Sequence, residues 1–321
     1  MRTISSSAPA LDSLPRLGLT SSRQRARTKA LALGVLACGL LSGCVADLRP
    51  GPLRRRDRAE EEACGRGVLD AAAQRQHAEG AAPWSTLPAV GVRFSDSYFG
   101  LVGLLACPWP TDPATVDLAF VPGTDISTAT FQSGEGRETW GIHGWNAWSQ
   151  QGQGEVSYDD HARTEFWLPT LQYFCELPFR LAGAEIVDCG GRTTIQIEGI
   201  EKEVDQVYVT WGRYAPHPRN DQYLAFVDTQ TGFLVRADFT VRDLAGFAKG
   251  RVLYRDPIGN FIEEPKVPTN QGITSLHSVS AGVLLIGQQT VMLHELVIEA
   301  WTLEGVTVSQ PDPSRPKRPK P

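Results

Sequence analysis

Apolar and polar positions fall into three regimes along the chain. Ala30–Leu41 (ALALGVLACGLL) is an unbroken apolar run behind Arg16, Arg23, Arg25, Arg27 and Lys29. Between Glu60 and Glu79 the spacing turns helical: Cys64, Val68 and Ala71/Ala72 fall at i, i+4 and i+7/i+8, and Gly80 follows as a stop. Beyond Gly80 the period becomes two. Val90–Phe94, Thr115–Phe120, Ser127–Gln132, Arg137–His143 and Val204–Trp211 read as strands, with Val207, Val209 and Trp211 on one face. The clearest hairpin is Asp221–Arg242, its arms joined around Thr229-Gln230-Thr231-Gly232, with the glycine placed for a positive φ. In its second arm Phe233, Val235, Ala237, Phe239 and Val241 line one face, while Arg236, Asp238 and Thr240 line the other. Val291–Leu303 is the last and longest strand.

One further helix is expected among the strands. Asp159 or Asp160 suits a capped turn, and Pro169 suits the first helical position, where its missing N–H costs nothing. Leu171, Phe174 and Cys175 share a face, Tyr173 and Leu177 add apolar area on other sides, and Pro178 is read as the stop. A short helix that is apolar almost all round has to be buried on more than one side, so it is expected to plug a curved antiparallel sheet. The fold class is mainly β with an N-terminal helix and a short plug helix.

The ends of the chain alter this picture. A basic region, a short apolar run and small residues have the layout of a secretory signal. It closes on Leu41-Ser42-Gly43-Cys44, which resembles the bacterial lipobox; the resemblance implies cleavage after residue 43 and acylation of Cys44. By the same resemblance, Val45 in place of Asp implies delivery to the outer membrane, with the body facing the periplasm. The organisation expected is a signal over 1–43, a tether over 44–59, one folded domain over 60–309 and a Pro/basic tail over 310–321. The tether reading rests on two prolines, a glycine and five arginines in residues 45–58, which read as solvated. The tail, with five prolines among basic residues, is expected to be disordered.

Of 321 residues, 41% are hydrophobic and 21% charged, as in a globular protein, and about 250 residues make one large domain. The first 43 residues hold six Lys+Arg against one acid, which leaves 25 bases and 35 acids, a net charge of −10, in the remainder. That sign disfavours nucleic acid as a partner. No run of 18 apolar residues occurs, so no transmembrane helix is expected.

Catalytic and metal chemistry find little support. His77, His143, His161, His217, His277 and His294 form no HExxH, and His294-Glu295 sits on a strand pattern whose neighbours face opposite ways. Asp159-Asp160-His161 reads as a cap or a solvated turn. Ser278-Val279-Ser280-Ala281-Gly282 lacks the first glycine of a nucleophile elbow. The expectation is no catalytic residue, no metal, no cofactor and no enzyme. Cys64, Cys107, Cys175 and Cys189 remain after the signal and the acylated Cys44; in an oxidising compartment they allow three full pairings. At least one disulfide is expected, and Cys64–Cys107 with Cys175–Cys189 is the arrangement carried forward. The aromatics admit two readings, core packing or an apolar ligand cavity lined by Trp140, Trp145, Trp148, Trp211, Phe226 and Phe239.

A family resemblance covers much of 60–305. It is carried by Ala71–Phe94, then Phe166-Trp167-Leu168-Pro169-Thr170 with Leu177-Pro178-Phe179, then Val207–Trp211 and Asp221–Asp228. In this order they resemble the LolA/LolB-like carriers of lipoproteins. The Trp-rich segment 140–148 and the Pro-rich loop around Cys107 depart from that pattern. The resemblance implies an unclosed, curved antiparallel β-barrel around helices, whose apolar concave face receives an acyl chain or a lipoprotein. The alternative is a structural or assembly lipoprotein of the envelope, with a filled core and a protein partner.

Overall fold

The described residues form thirteen strands: β1 Val90–Tyr98, β2 Ala114–Phe120, β3 Ile126–Ser133, β4 Gly136–His143, β5 Asn146–Gln151, β6 Val156–Ser157, β7 Ile186–Ile197, β8 Ile200–Thr210, β9 Gln222–Asp228, β10 Leu234–Thr240, β11 Lys249–Arg255, β12 Ser278–Leu284 and β13 Thr290–Thr302. The structure, a computed structural model, describes residues 45–50, 58–76, 83–158, 161–242, 246–255, 278–284 and 290–311. Cys44, the signal, His77, Asp159, Asp160, His277 and the tail from residue 312 lie outside them.

Every pairing is antiparallel, in the order β6-β5-β4-β3-β2-β1-β13-β12-β11-β10-β9-β8-β7. The chain enters at the centre of the sheet with β1 and runs outward by hairpins to β6. A single helix crosses to the far edge, and the chain returns hairpin by hairpin until β13 lies beside β1. Strands β6 and β7 are edges that do not pair with each other, so the curved sheet stays unclosed. Among the described residues three α-helices complete the body: α1 Arg58–Gln76, α2 Gly100–Ala106 and the crossing helix α3 Ala162–Ala182. A 21-residue helix is about 30 Å long, and the sheet wraps around it. Twelve of its residues are buried, among them Trp167, Leu168, Leu171, Phe174 and Leu177. They meet a cross-strand file such as Val92, Leu118, Ala129 and Trp140, which face the core from four neighbouring strands.

Several expectations are corrected. Helix α3 neither begins at Pro169 nor stops at Pro178; both lie inside it. At Pro178 the carbonyl left without its helical donor, that of Phe174, accepts the Tyr254 hydroxyl at 3.1 Å, and burial on all sides holds the rest. On α1 the buried stripe is Gly65, Leu69, Ala72 and Gln76, one position on from the Cys64–Val68 line. In the 221–242 hairpin a register shift between Leu234 and Arg236 turns Val235 to the opposite face from Ala237. Ser278–Leu284, which lacks the first glycine of a nucleophile elbow, is strand β12 of the sheet.

The disulfide is Cys64–Cys189, with Cα atoms 5.7 Å apart, and it ties α1 to β7. Cys107 and Cys175 are free thiols. Cys175 lies fully buried on α3, where burial pushes its thiol pKa up, so it sits far from the bridging role expected for it.

Residues 45–50 are docked on the body through alternate residues, while Asp47 and Arg49 stay exposed. Ala46 and Leu48 are buried; the Ala46 N–H donates to Gly246 O at 2.9 Å and the Leu48 N–H to Gln222 Oε1 at 2.9 Å. The Arg242 guanidinium donates to Ala46 O, and Arg49 pairs with Asp47 while lying over the Tyr214 ring. Prolines and arginines dominate the composition only after residue 48, and the short alternation Ala46–Leu48 before them supplies the apolar contacts.

Candidate functional site: the aromatic interior around the crossing helix

The alternation that makes β1 a strand also sends Val92, Phe94, Asp96 and Tyr98 to the core side. Asp96 is therefore carried into an apolar interior, where it must be paired. The Trp109 Nε1–H donates to its Oδ2 at 2.7 Å, and His294 Nδ1, from β13, lies 3.0 Å from its Oδ1. His294 is in turn enclosed by rings: Tyr98 stacked at 4.9 Å, Trp167 edge-on at 5.4 Å and Phe174 at 5.7 Å. Burial, and then the nearby Asp96 carboxylate, pushes the Tyr98 phenol pKa up, so the hydroxyl stays protonated.

From this pair the rings run both ways along the core. On one side Trp109 stacks on Trp140 at 5.4 Å, and Phe131 closes against both, at 4.9 Å from Trp109 and 5.0 Å from Trp140. On the other, Phe174 meets Phe239 at 6.0 Å, Phe239 lies 6.1 Å from Tyr223, and Tyr223 meets Trp211 edge-on at 5.6 Å. The row is buried at the Trp140 end and half-exposed at Phe239 and Trp211.

A second polar cluster locks the C-terminal half of α3. Glu176 is fully buried; it accepts from Arg180 Nε at 2.7 Å, Gln172 Nε2 at 3.1 Å, Trp84 Nε1 at 3.3 Å and the Gly123 N–H. Burial works against the Arg180 charge, but the adjacent Glu176 carboxylate outweighs it and raises the guanidinium pKa. The helix is thereby fixed to the β2–β3 turn, and Trp84 stacks on Phe179 at 4.1 Å.

The six rings expected to line one cavity divide between the two faces of the sheet. Trp140 belongs to the core, and Trp145, Trp211 and Phe239 pack against it from partly exposed positions. Trp148 pairs across β4–β5 with Gly141, facing away from Trp140, and its ring occupies the space a Cβ on Gly141 would need, 2.1 Å from the nearest ring atom. Phe226 packs in a second cluster with Ile197, Val204 and Val235, under the Arg236 guanidinium at 4.4 Å. The Trp140–Trp148 interval is even and would share a face in one strand, but the turn at Gly144–Trp145 resets the parity; Trp145 itself has φ 64°.

No family model matches the chain, and no curated protein matches it. Among solved structures it is similar to a LolA superfamily protein from Nitrosomonas europaea (10% identity, 77% of this chain and 97% of that chain, TM-score 0.41). It is also similar to a DUF1329 family protein from Desulfovibrio piger (9%, 77% and 95%, TM-score 0.38) and to LprF from Mycobacterium bovis (10%, 78% and 98%, TM-score 0.28).

The sequence alone does not mark Asp96, Tyr98, Trp109, Trp167 and Phe174 as site residues, and it gives His294 only as a strand position. The signal was present as an Asp in an otherwise apolar alternation on β1, and a His in the same phase as Leu296 and Ile298 on β13. Each breaks the core pattern alone, and only the β1–β13 pairing brings them together. Among the described residues no group of three or more His, Cys, Asp or Glu is placed to hold a metal.

Proposed function

We propose that this is an envelope protein, anchored through an acylated Cys44, that receives an apolar chain between α3 and the aromatic row of the core face. The ligand class is an acyl chain, free or as part of a lipoprotein. The supporting observation is the row itself: rings that pass from a sealed end at Trp140 and Trp109 to half-exposed rings at Phe239 and Trp211, around a helix apolar on most sides. The row is apolar along most of its length, with the buried Asp96–His294 pair midway. The candidate binding residues are thus Trp140, Trp145, Trp211 and Phe239, without Trp148 and Phe226.

The two faces supply their own control. Titration of the delipidated body with a fluorescent fatty acid should saturate. Phe239→Ala and Trp211→Ala should each weaken binding about 10-fold, the cost of losing one buried aromatic contact of roughly 1.4 kcal/mol or more. Trp148→Ala and Phe226→Ala, on the other face, should leave affinity unchanged in protein that keeps its near-UV circular dichroism. Equal loss in all four, or no saturable binding in the parent, would support instead a filled core and the structural reading.

A further inference from the structure

Among the described residues, the stretch that leaves most of its large apolar side chains outside is α2. Residues 97–111 contain no charged side chain, yet Phe99, Leu101, Val102, Leu104 and Leu105 are 41%, 74%, 49%, 56% and 49% exposed. These are five of the nine large hydrophobic residues exposed among the described residues, gathered within seven positions. The helix is not poised to tuck them in. Its inward position is Gly103, where an added Cβ would stand 2.4 Å from the Leu293 carbonyl oxygen, and the Phe99 N–H donates to that same oxygen at 2.8 Å. Fastened by backbone to β13, the helix has its larger side chains pointing outward on several sides. A helix docked on a folded partner shows one apolar stripe with a polar border, but this one has apolar side chains around most of its circumference and no charged border.

The register of the sheet says what lies beside it. Tyr98, where β1 ends, pairs with His294 near the start of β13; the β12–β13, β11–β12, β10–β11 and β9–β10 pairings then place Leu284, Lys249, Thr240 and Gln222 along the same rim. That is the rim on which Ala46 is bonded to Gly246 and Leu48 to Gln222. With strands about 4.8 Å apart, α2 sits roughly 15–25 Å along the rim from the segment that follows Cys44. Arg49 and Lys249 lie at the docked segment, and Arg163, which donates to Pro108 O at 3.0 Å, lies at the end of α2 beside the exposed Phe166.

We infer that this rim faces a lipid bilayer and that α2 dips into its interface, making a second membrane contact independent of the lipid anchor. Seven residues give a helix of about 10 Å, too short to span but long enough to bury its side chains among headgroups and the first acyl carbons. The docked segment 45–50 fixes which rim meets the membrane, since it leaves little free chain on that side between Cys44 and the body. The choice of a bilayer over a protein rests on the envelope reading above; the contact itself does not require acylation.

The test uses residues 45–321 exported behind a cleavable signal without a lipobox, a form that retains every described contact of the body. Sedimentation with vesicles of phosphatidylethanolamine and phosphatidylglycerol should carry this unacylated body down. Leu101→Glu with Leu105→Glu should cut the bound fraction at least 10-fold while leaving circular dichroism and fatty-acid binding unchanged, because both side chains already face solvent. Vesicle binding equal in parent and variant, or absent in both, overturns the inference. So does a parent that is dimeric in solution, with a monomeric variant, and binds no vesicles, since a second copy would then be what covers α2. Because fatty-acid binding is read in the same preparations, failure of the membrane contact is distinguishable from failure of the ligand reading. In the acylated chain the double substitution should leave the protein in the membrane fraction, and Cys44→Ser in a form with a cleavable signal should release it only when combined with the α2 changes.

Discussion

Replacing Cys64 and Cys189 together by serine should lower the stability of the body by on the order of 4–5 kcal/mol and its Tm by about 10 °C or more. The bridge closes 125 residues, from α1 to β7, and a loop of that length is among the more strongly constrained in the chain-entropy account. It also does local work: β7 is an edge strand, and α1 covers it only as long as its buried stripe Gly65, Leu69, Ala72 and Gln76 stays in place. Cys107→Ser should cost far less, since that thiol is half-exposed and free. Thiol titration of the denatured, unreduced body is the check: two thiols should react, rising to four after reduction. Four without reductant would contradict the bridge.

The other large effect is expected at Asp238. Its carboxylate, 8% exposed, is held between Arg236 and Arg251, each 13% exposed, on the face opposite the core. Asp238→Asn removes the charge and leaves two guanidiniums facing each other over the Phe226 cluster, so about 3 kcal/mol or more should be lost. The pH dependence follows from the same geometry. Burial alone would raise the Asp238 pKa, but the two arginines outweigh it and hold the carboxyl below its usual range. A depressed carboxylate contributes stability that is fully present above its unfolded value near ~3.9 and is lost as pH falls through the folded value. The gap between parent and variant in denaturant titrations should be constant from about pH 5 to 8 and shrink below about pH 4. A gap that stays constant to pH 2 would place the effect elsewhere than in this ion cluster.

How far the sequence speaks depends on the kind of information asked of it. Strands β1, β2, β3, β4, β8, β9, β10 and β13 and the buried helix are legible because alternation and all-round apolarity are local patterns. Strand β7 was missed: its Asp188-Cys189-Gly190-Gly191 start carries two glycines and a register shift, which mask the period of two. Helix α2 is not legible because GLVGLLA, with two glycines inside it and Pro108 just beyond, shows no amphipathic period, and the lack of one is the very property that leaves it exposed. The extent of α3 was underread because two prolines signal stops wherever nothing compensates them; here Tyr254, eighty residues away, supplies part of the compensation. The site was half legible. Single rings could be named from the sequence, but which face each ring takes depends on turns and bulges that reset parity, as at Trp145 for Trp148 and at Leu234–Arg236 for Val235. The Cys64–Cys189 pairing and the Asp96–His294 pair are set by which strands meet across the sheet, information that lies in the order of the whole sheet and not in any one segment.

If the core face around α3 holds an apolar chain, native mass spectrometry of the body, purified without detergent from a bacterial envelope extract, should show a one-to-one adduct of lipid mass on the parent protein. The adduct should be released on organic extraction, strongly reduced in Phe239→Ala and Trp211→Ala, and retained in Trp148→Ala. A parent protein that flies only at its bare mass, with the same spectrum in all four forms, would contradict the binding of such a chain.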